Sequence, residues 1–259
     1  MRVVTYNVLA TRYIRRDYYP RVEQRFLDPA WRHPALVDAV GALGADHDLI
    51  CLQEVEREVF EAIEARLAPH FVGALAMKGR SKPDGAALFA RRETLELETP
   101  EPLYYADNSG HLAQIAIVRA VADQRALAVA NTHLRWDPPR TARADKLGVA
   151  QIEQLLDTRE QRAPGCAAWL VCGDLNAAPG SDVVTTLEQR GLHCVHAGSG
   201  AATCNANARL QLIDHLFVSA ALDATPIMPP AIEAETPLPS GEQPSDHLPL
   251  SAELHFASD

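Results

Sequence analysis

The sequence predicts an α/β protein, and three observations carry that expectation. Apolar runs of strand length recur, notably Asp48-Leu49-Ile50-Cys51-Leu52, Ala86 to Ala90 and Ala167 to Cys172. Such runs are expected where both faces of a strand are covered. Between them lie segments with helical spacing, such as Glu56 to Leu67, where Val59, Phe60, Ile63 and Leu67 share one face. At 259 residues and 47% hydrophobic content, the chain can bury a sizeable core without disulfide staples.

Met1 to Tyr6 alternates as a first strand and runs into Asn7. Thr11 to Arg25 mixes five arginines with Tyr13, Tyr18 and Tyr19. It reads either as a solvated loop or as a segment that touches phosphates and bases. Asp28-Pro29 opens a helix carrying Leu36, Val37, Val40 and Leu43 at helical spacing. The strand Asp48 to Leu52 ends in Gln53-Glu54, and the helix Glu56 to Leu67 follows. Lys82-Pro83-Asp84-Gly85 is a turn before the strand Ala86 to Ala90. Ile115 to Val121 and Leu127 to Ala130 are further strands, broken by Asp123-Gln124, and the second leads into Asn131-Thr132-His133. Arg143 to Leu156 is a helix with Leu147, Ile152, Leu155 and Leu156 as its stripe. In the strand Ala167 to Cys172, Gly173 ends the apolar run. Asp174 and Asn176, two residues apart, would share one face of an extended chain; the alternative is a local Asx turn. Val183 to Gln189 is a short helix, Ala197 to Arg209 a polar loop, and Leu212 to Val218 a strand. Pro226 to Pro244 holds six of the 18 prolines and reads as an extended surface connection. Ser245-Asp246-His247-Leu248-Pro249-Leu250 leads into the closing strand.

The five cysteines are odd in number and form no C-x-x-C, which points to reduced thiols and a reducing compartment. No apolar run reaches bilayer length, and the N-terminus enters a strand at once. A cytoplasmic protein without membrane contact is expected. The net charge of −10 argues against coating long nucleic acid. It does not exclude an enzyme that meets phosphates through metal ions held by carboxylates.

Polar residues recur at strand ends: Asn7, Glu54, His133, Asp174 with Asn176, Asp214, and Asp246 with His247. Each alone has an ordinary structural role as a cap, a turn residue, a satisfied core histidine or an arginine partner. Together, charges beside buried strands need a cation or an anionic substrate to offset desolvation. The inventory suits divalent-metal phosphoester hydrolysis: Mg²⁺ takes oxygen ligands and acidifies a water, an Asp handles that water, and a His bonds the phosphate. A Ser-His-Asp hydrolase fits less well, because no G-x-S-x-G is present, although Ser245 stands beside Asp246-His247.

Thr5-Tyr6-Asn7-Val8-Leu9-Ala10, Cys51-Leu52-Gln53-Glu54-Val55, Asn131-Thr132-His133, Gly173-Asp174-Leu175-Asn176, Ile213-Asp214-His215 and Ser245-Asp246-His247-Leu248-Pro249 occur in this order. Together they resemble the endonuclease/exonuclease/phosphatase superfamily. The stretches Pro83-Asp84-Gly85-Ala86 and His133-Leu134-Arg135-Trp136-Asp137-Pro138 look closest to its deadenylase, nocturnin and 2′-phosphodiesterase branch. Two departures stand out. His215 sits where that branch usually has an aromatic, and the loop Ala197 to Leu210 lacks a base-stacking ring.

The resemblance implies one catalytic domain over residues 1–259, folded as a four-layer α/β/β/α sandwich with its site at one end of two packed sheets. It implies Glu54 as the main Mg²⁺ ligand (Mn²⁺ as the substitute), with Asn7 and Asp246 also at the metal. Asp174 would handle the attacking water, Asn176 would bind metal or phosphate, and His247, oriented by Asp214, would contact the scissile phosphate. His133 would stabilise developing charge. Asn131, Trp136 and Arg209 are candidate substrate contacts. The expected activity is a Mg²⁺-dependent phosphodiesterase or nuclease, acting as a monomer on single-stranded RNA ends or small nucleotides. The alternatives are a phosphatase of inositol phosphates or phospholipids and a catalytically silent nucleotide-binding domain.

Overall fold

The computed structural model describes residues 1–205 and 209–257. Two sheets lie face to face. One has the strand order β12-β13-β1-β2-β4-β3, built from β1 (Arg2–Asn7), β2 (Leu49–Glu56), β3 (Phe71–Met77), β4 (Asp84–Arg91), β12 (Leu222–Ile227) and β13 (Leu250–Phe256). The other has the order β10-β11-β9-β8-β7-β5, built from β5 (Leu95–Leu97), β7 (Leu112–Ala120), β8 (Ala126–His133), β9 (Ala168–Asp174), β10 (Leu192–Cys194) and β11 (Asp214–Ser219); β6 (Glu101–Tyr104) pairs with β7.

The uninterrupted apolar runs are explained by what covers each strand. Along β2, Leu49 and Cys51 point between the sheets, where they meet Leu127 and Val129 of β8 and Leu170 and Cys172 of β9. Ile50 and Leu52 point the other way, onto α1 (Pro29–Asp46) and α2 (Arg57–Leu67) through Leu36, Val40, Val59 and Ile63. On the second sheet, Trp169 and Val171 of β9 pack outward on Val149 and Ile152 of α3 (Leu147–Asp157) and on Val183 and Leu187 of α5 (Asp182–Gln189). Strands with a period of two therefore need apolar residues on both faces. The architecture is the expected four-layer α/β/β/α sandwich.

Several elements depart from the sequence reading. Phe71–Met77 is a strand that the periodicity did not single out, with half-exposed glycine and alanine in its middle. β7 begins at Leu112, three residues earlier than expected, and the helix expected from Arg143 begins at Leu147 after a short 3-10 turn at Arg143–Asp145. The proline-rich stretch starts inside a strand, because Pro226 sits on β12 at the sheet edge, where no ladder donor is required of it. Thr11 to Leu27 is a chain of three 3-10 turns. Cys51, Cys166, Cys172 and Cys194 are free thiols.

At the site end, one polar stitch joins the sheets. Gln53 Nε2 donates to Thr5 Oγ1 at 2.9 Å and to Asn131 Oδ1 at 2.7 Å, while Asn131 Nδ2 donates to the carbonyls of Leu52 and Ala87, both at 3.0 Å. Asn131 is fully buried. Its amide is spent on holding β8 against β2 and β4. Asn131→Leu keeps the volume but strips these bonds. It should cost roughly 1–3 kcal/mol, because buried partners lose their match. The measurement is the urea midpoint at constant slope; an unchanged midpoint would show that the stitch adds nothing.

Candidate active site

The site is assembled from strand ends of both sheets. Asn7 ends β1, His133 ends β8 and Asp174 ends β9, all at carboxyl ends of parallel-paired strands. Asp214 opens the antiparallel β11 directly opposite Asp174. Glu54 reaches the same place through a bulge: the β2–β4 register passes from Leu52↔Ala87 to Val55↔Gly85, so Gln53 and Glu54 together face Ala86. A bulge re-aims a side chain, and Glu54 takes the left-handed φ of 59° that this requires. Gly173, at φ +133°, lets β8 and β9 close up beside the site; a Cβ there would lie 1.8 Å from the Thr132 carbonyl oxygen.

Asn7 is the bridge between the sheets. Its Nδ2 donates to Glu54 Oε1 at 3.1 Å and to Asp174 Oδ2 at 2.9 Å, while its Oδ1 accepts from Leu9 N at 3.0 Å. Asn7 therefore presents its N–H groups to two carboxylates, and its oxygen accepts from the Leu9 amide. Glu54 Oε2 accepts from Ala10 N at 2.8 Å, and Asp174 Oδ1 accepts from Asn176 N at 2.9 Å. Ser245, expected at most as a nucleophile candidate, is buried and donates to the Asn7 carbonyl at 2.6 Å. The guanidinium of Arg32, from α1, ties the loop after β1 to the Ser245 segment through Val8 O and Pro244 O.

His247 Nδ1 meets Asp214 Oδ2 at 2.8 Å, and its Nε2 faces Asp174 Oδ2 at 3.8 Å. Burial alone would lower the imidazole pKa, but the Asp214 and Asp174 carboxylates outweigh it and hold the ring well above its usual value. His247 is therefore a cation between two carboxylates. His133 is the opposite case. Burial, the Lys78 ammonium and neighbouring histidines push its pKa well down, so the ring is neutral. Asn176 Nδ2 donates to Leu134 O and lies against His133 Nε2, both at 3.0 Å, while His133 Nδ1 lies 3.4 Å from Lys78 Nζ and 3.7 Å from Glu54 Oε1. His133 can offer an N–H and orient Asn176, but it does not bring a charge. Asp246 accepts from Tyr19 hydroxyl at 2.9 Å, which places the arginine- and tyrosine-bearing segment at the site border.

Beside these acids opens a cleft of about 300 Å³, lined by Glu54, His133 and Asn176 together with Lys78, Lys82, Arg135 and Trp136. Lys78 is buried and forms a 2.6 Å ion pair with the buried Asp84, which also accepts from the Tyr13 hydroxyl at 2.6 Å. The cations crowd one another. Burial lowers the Lys82 pKa, and the Lys78 and Arg135 charges lower it further. Burial and the same three charges push His111 down to about 4. Trp136 lies at the cleft with 58% of its surface exposed, as a substrate platform requires. Arg209 is exposed and is not among the cleft-lining residues; residues 206–208 beside it lie outside the described residues. Lys78, Lys82, Arg135 and Asp84 were missed as site residues by sequence reasoning. Lys82 and Arg135 sit inside the motif stretches Lys82-Pro83-Asp84-Gly85 and His133-Leu134-Arg135-Trp136, which was the available signal.

The donor set fits a hard divalent cation. Glu54 is buried, and its carboxyl pKa is raised by burial, opposed by Lys78 and raised again by the Asp246 charge. Asp174 is pushed up to about 7 by burial, with His247 pulling down and Asp214 pushing up. Carboxylates that resist ionisation for want of positive charge are suited to a metal with oxygen ligands. Asp174, Asp214 and His247 place donor atoms within 4.8 Å of one another. The 2.8 Å bond made by His247 to Asp214 makes that trio a hydrogen-bonded chain as it stands.

The family follows from these features. Residues 4–247 match the endonuclease/exonuclease/phosphatase family, and the chain belongs to it; its members are metal-dependent phosphoester hydrolases. Among known relatives, the chain is 26% identical over 327 residues to carbon catabolite repressor protein 4 homolog 4 of Arabidopsis thaliana, covering 98% of this chain and 77% of that protein. It is 23% identical over 320 residues to 2′,5′-phosphodiesterase 12 of Rattus norvegicus, covering 99% of this chain but only 52% of that longer protein. Among solved structures, ANGEL2, described as a 2′,3′-cyclic phosphatase in complex with adenosine-2′,3′-vanadate, superposes with a TM-score of 0.81 at 20% identity, covering 98% of this chain and 95% of that one.

A stability prediction follows from Asp174. Its ordinary value is 3.8 and its buried value about 7, so the folded, metal-free protein holds a proton that the unfolded chain releases. A carboxyl raised in this way adds no penalty below pH 3.8, and the penalty grows as pH rises toward 7. Asp174→Asn should therefore stabilise the metal-free protein at pH 8 by on the order of 1 kcal/mol, roughly 2–4 °C in Tm, and should have little effect at pH 4. Equal Tm shifts at both pH values would contradict the buried-charge account.

Proposed function

We propose that this protein is a Mg²⁺-dependent phosphodiesterase that acts on small nucleotides or the ends of single-stranded RNA, with preference for substrates bearing a second phosphate. The observation that carries the reading is the cleft itself. Lys82, Arg135 and the exposed Trp136 line it together with Glu54 and Asn176, beside Lys78, which is paired with Asp84. In a chain of net charge −10, such a concentration of cations is a local device for phosphate, and an indole beside it suits a base. A cleft of about 300 Å³ with few cations favours a nucleotide over a duplex, which would need many more phosphate contacts. The relatives described as a 2′,5′-phosphodiesterase and a 2′,3′-cyclic phosphatase are consistent with this substrate size.

Glu54 and Asp246 would hold the cation. When bound, it supplies Lewis acidity and a more acidic water. Asp174, once ionised, takes the proton of the attacking water and orients it through Oδ2, while Asn7 keeps that carboxylate aimed by its N–H. His247, held cationic by Asp214, donates from Nε2 to a non-bridging phosphate oxygen, stabilising charge that grows in the transition state. Asn176, its Nδ2 held by Leu134 O, would turn the N–H that lies against neutral His133 to the same phosphate. Lys82 and Arg135 bind the second phosphate.

The test is a substrate panel under Mg²⁺, Mn²⁺ and chelator: 2′,5′- and 3′,5′-dinucleotides, 2′,3′-cyclic nucleotides, nucleotides with and without an added terminal phosphate, inositol phosphates, oligo(A) and plasmid. Turnover of the smallest nucleotides, abolished by chelator, is expected. Preference for inositol phosphates or for plasmid would replace this reading. Glu54→Gln should lose metal affinity in titration calorimetry and at least about 10²-fold in kcat; a variant with unaltered metal binding would remove Glu54 from the metal site. Lys82→Ala and Arg135→Ala should each raise KM about tenfold for substrates carrying the second phosphate, the worth of one charge-assisted contact. They should leave KM for singly phosphorylated substrates within about twofold; an equal loss on both classes would remove these cations from the second-phosphate subsite.

A further inference from the structure

His215 follows Asp214 on β11 and therefore points to the opposite face of the sheet. Asp214 faces His247, whereas His215 lies beneath the loop that carries Asn176. His215 is 1% exposed, and its Nε2 lies 2.7 Å from the carbonyl oxygen of Ala177, the residue after Asn176. A carbonyl only accepts, so Nε2 carries the proton. Nδ1 is then the acceptor, and Cys194 Sγ lies 3.7 Å from it. Burial keeps Cys194 a thiol, able to donate, and keeps His215 neutral. Phe217, two residues on, holds the ring from the side at 5.6 Å between centroids.

The loop above needs such an anchor. Asn176 has a φ of 50°, a left-handed conformation that costs a non-glycine residue energy and persists only when neighbours impose it. Before Asn176, its own N–H is held by Asp174 Oδ1, and Leu175 N is held by Ile213 O at 2.9 Å. After it, Ala177 is buried and the loop runs into the exposed turn Ala178-Pro179-Gly180, closed by Ser181 N on the Ala178 carbonyl at 3.1 Å. Among the described residues, the His215 bond is the side-chain contact recorded at the Ala177 carbonyl.

We propose that His215 is a positioning residue: through Cys194 Sγ–H···Nδ1 and Nε2–H···O=C of Ala177 it sets the peptide that follows Asn176, and so aims the Asn176 amide at the reacting phosphate. This rests on the reading above that Asn176 contacts phosphate. It assigns β11 two roles on its two faces, Asp214 holding His247 from within the sandwich and His215 holding Asn176 from outside it.

The experiment compares His215→Gln with His215→Leu. Both lose the ring; only glutamine retains a donor where Nε2 stood. Hydrolysis of bis(p-nitrophenyl) phosphate and of the best panel nucleotide is measured together with hydrogen exchange of peptides spanning residues 174–181. His215→Leu should lower kcat about 5- to 10-fold, the worth of one buried hydrogen bond, with KM within about twofold; His215→Gln should recover most of the loss. Exchange across residues 176–180 should be faster in the leucine variant than in the glutamine variant. Combined with Asn176→Ala, His215→Leu should add nothing further. Equal exchange in the two variants, equal kcat, or multiplicative loss in the double variant would overturn the proposal. If Asn176→Ala alone keeps wild-type kcat, the phosphate role of Asn176 fails and the positioning role fails with it; if Asn176→Ala is crippled and His215→Leu is not, the positioning role alone fails.

Discussion

Glu54, Asp84, Asp174 and Asp214 are all buried at one end of two packed sheets. Removing carboxylates from water costs several kcal/mol each unless something compensates, and the geometry of the site is the set of compensations. Asp84 takes an ammonium from Lys78 and a phenol from Tyr13. Asp214 takes the imidazolium of His247. Glu54 and Asp174 share the amide of Asn7 and take one further backbone N–H each, from Ala10 and Asn176, and burial keeps their pKa values raised. That leaves the deficit of positive charge at Glu54 and Asp174. The protein thus concentrates its unmet electrostatics at one spot while neutralising the acids around it.

The same end of the sandwich also concentrates backbone strain. Leu9, Glu54 and Asn176 all have left-handed φ values without being glycine. Each costs of the order of 1–3 kcal/mol and needs support from its surroundings. Leu9 N is held by the Asn7 side chain, Glu54 by the Ala10 amide and the β2 bulge, and Asn176 by Asp174 on one side and His215 beyond. The two sheets make this support possible, because their ends face each other across a dry core. Arg32, the Gln53–Asn131 stitch and Ser245 fasten the loops to that core. A loop site on a less rigid platform would relax these conformations.

Much of this was legible in the chain. The buried runs of β2, β4, β8 and β9 announced an α/β protein because a strand covered on both faces has no polar alternation. Asn7, Glu54, His133, Asp174, Asn176, Asp214, Asp246 and His247 stood out because charged and amide groups do not end apolar strands without cause, and all eight come together in space. β3 was missed because Gly73, Ala74 and Ala76 carry too little side chain to signal a strand, and its place is set by pairing with β4.

The sequence by itself determined the layer order, the strand-end inventory of acids, amides and histidines, and the family. Tertiary structure decided what each of those groups does with its hydrogen bonds. Asn7 turns its N–H groups, not its oxygen, toward the carboxylates, because Leu9 N claims the oxygen. Asn131 faces the space between the sheets, where only the packing of β8 on β2 and β4 could reveal its partners. The charges of His133 and His247 diverge because one ring lies beside Lys78 and the other between two carboxylates. Lys78, Lys82 and Arg135 came together only when β3, the turn before β4 and the segment after β8 met around the cleft. Spacing along a chain fixes which face a side chain takes; its partners come from residues up to 238 positions away, as Ser245 is from Asn7, and no local pattern encodes them.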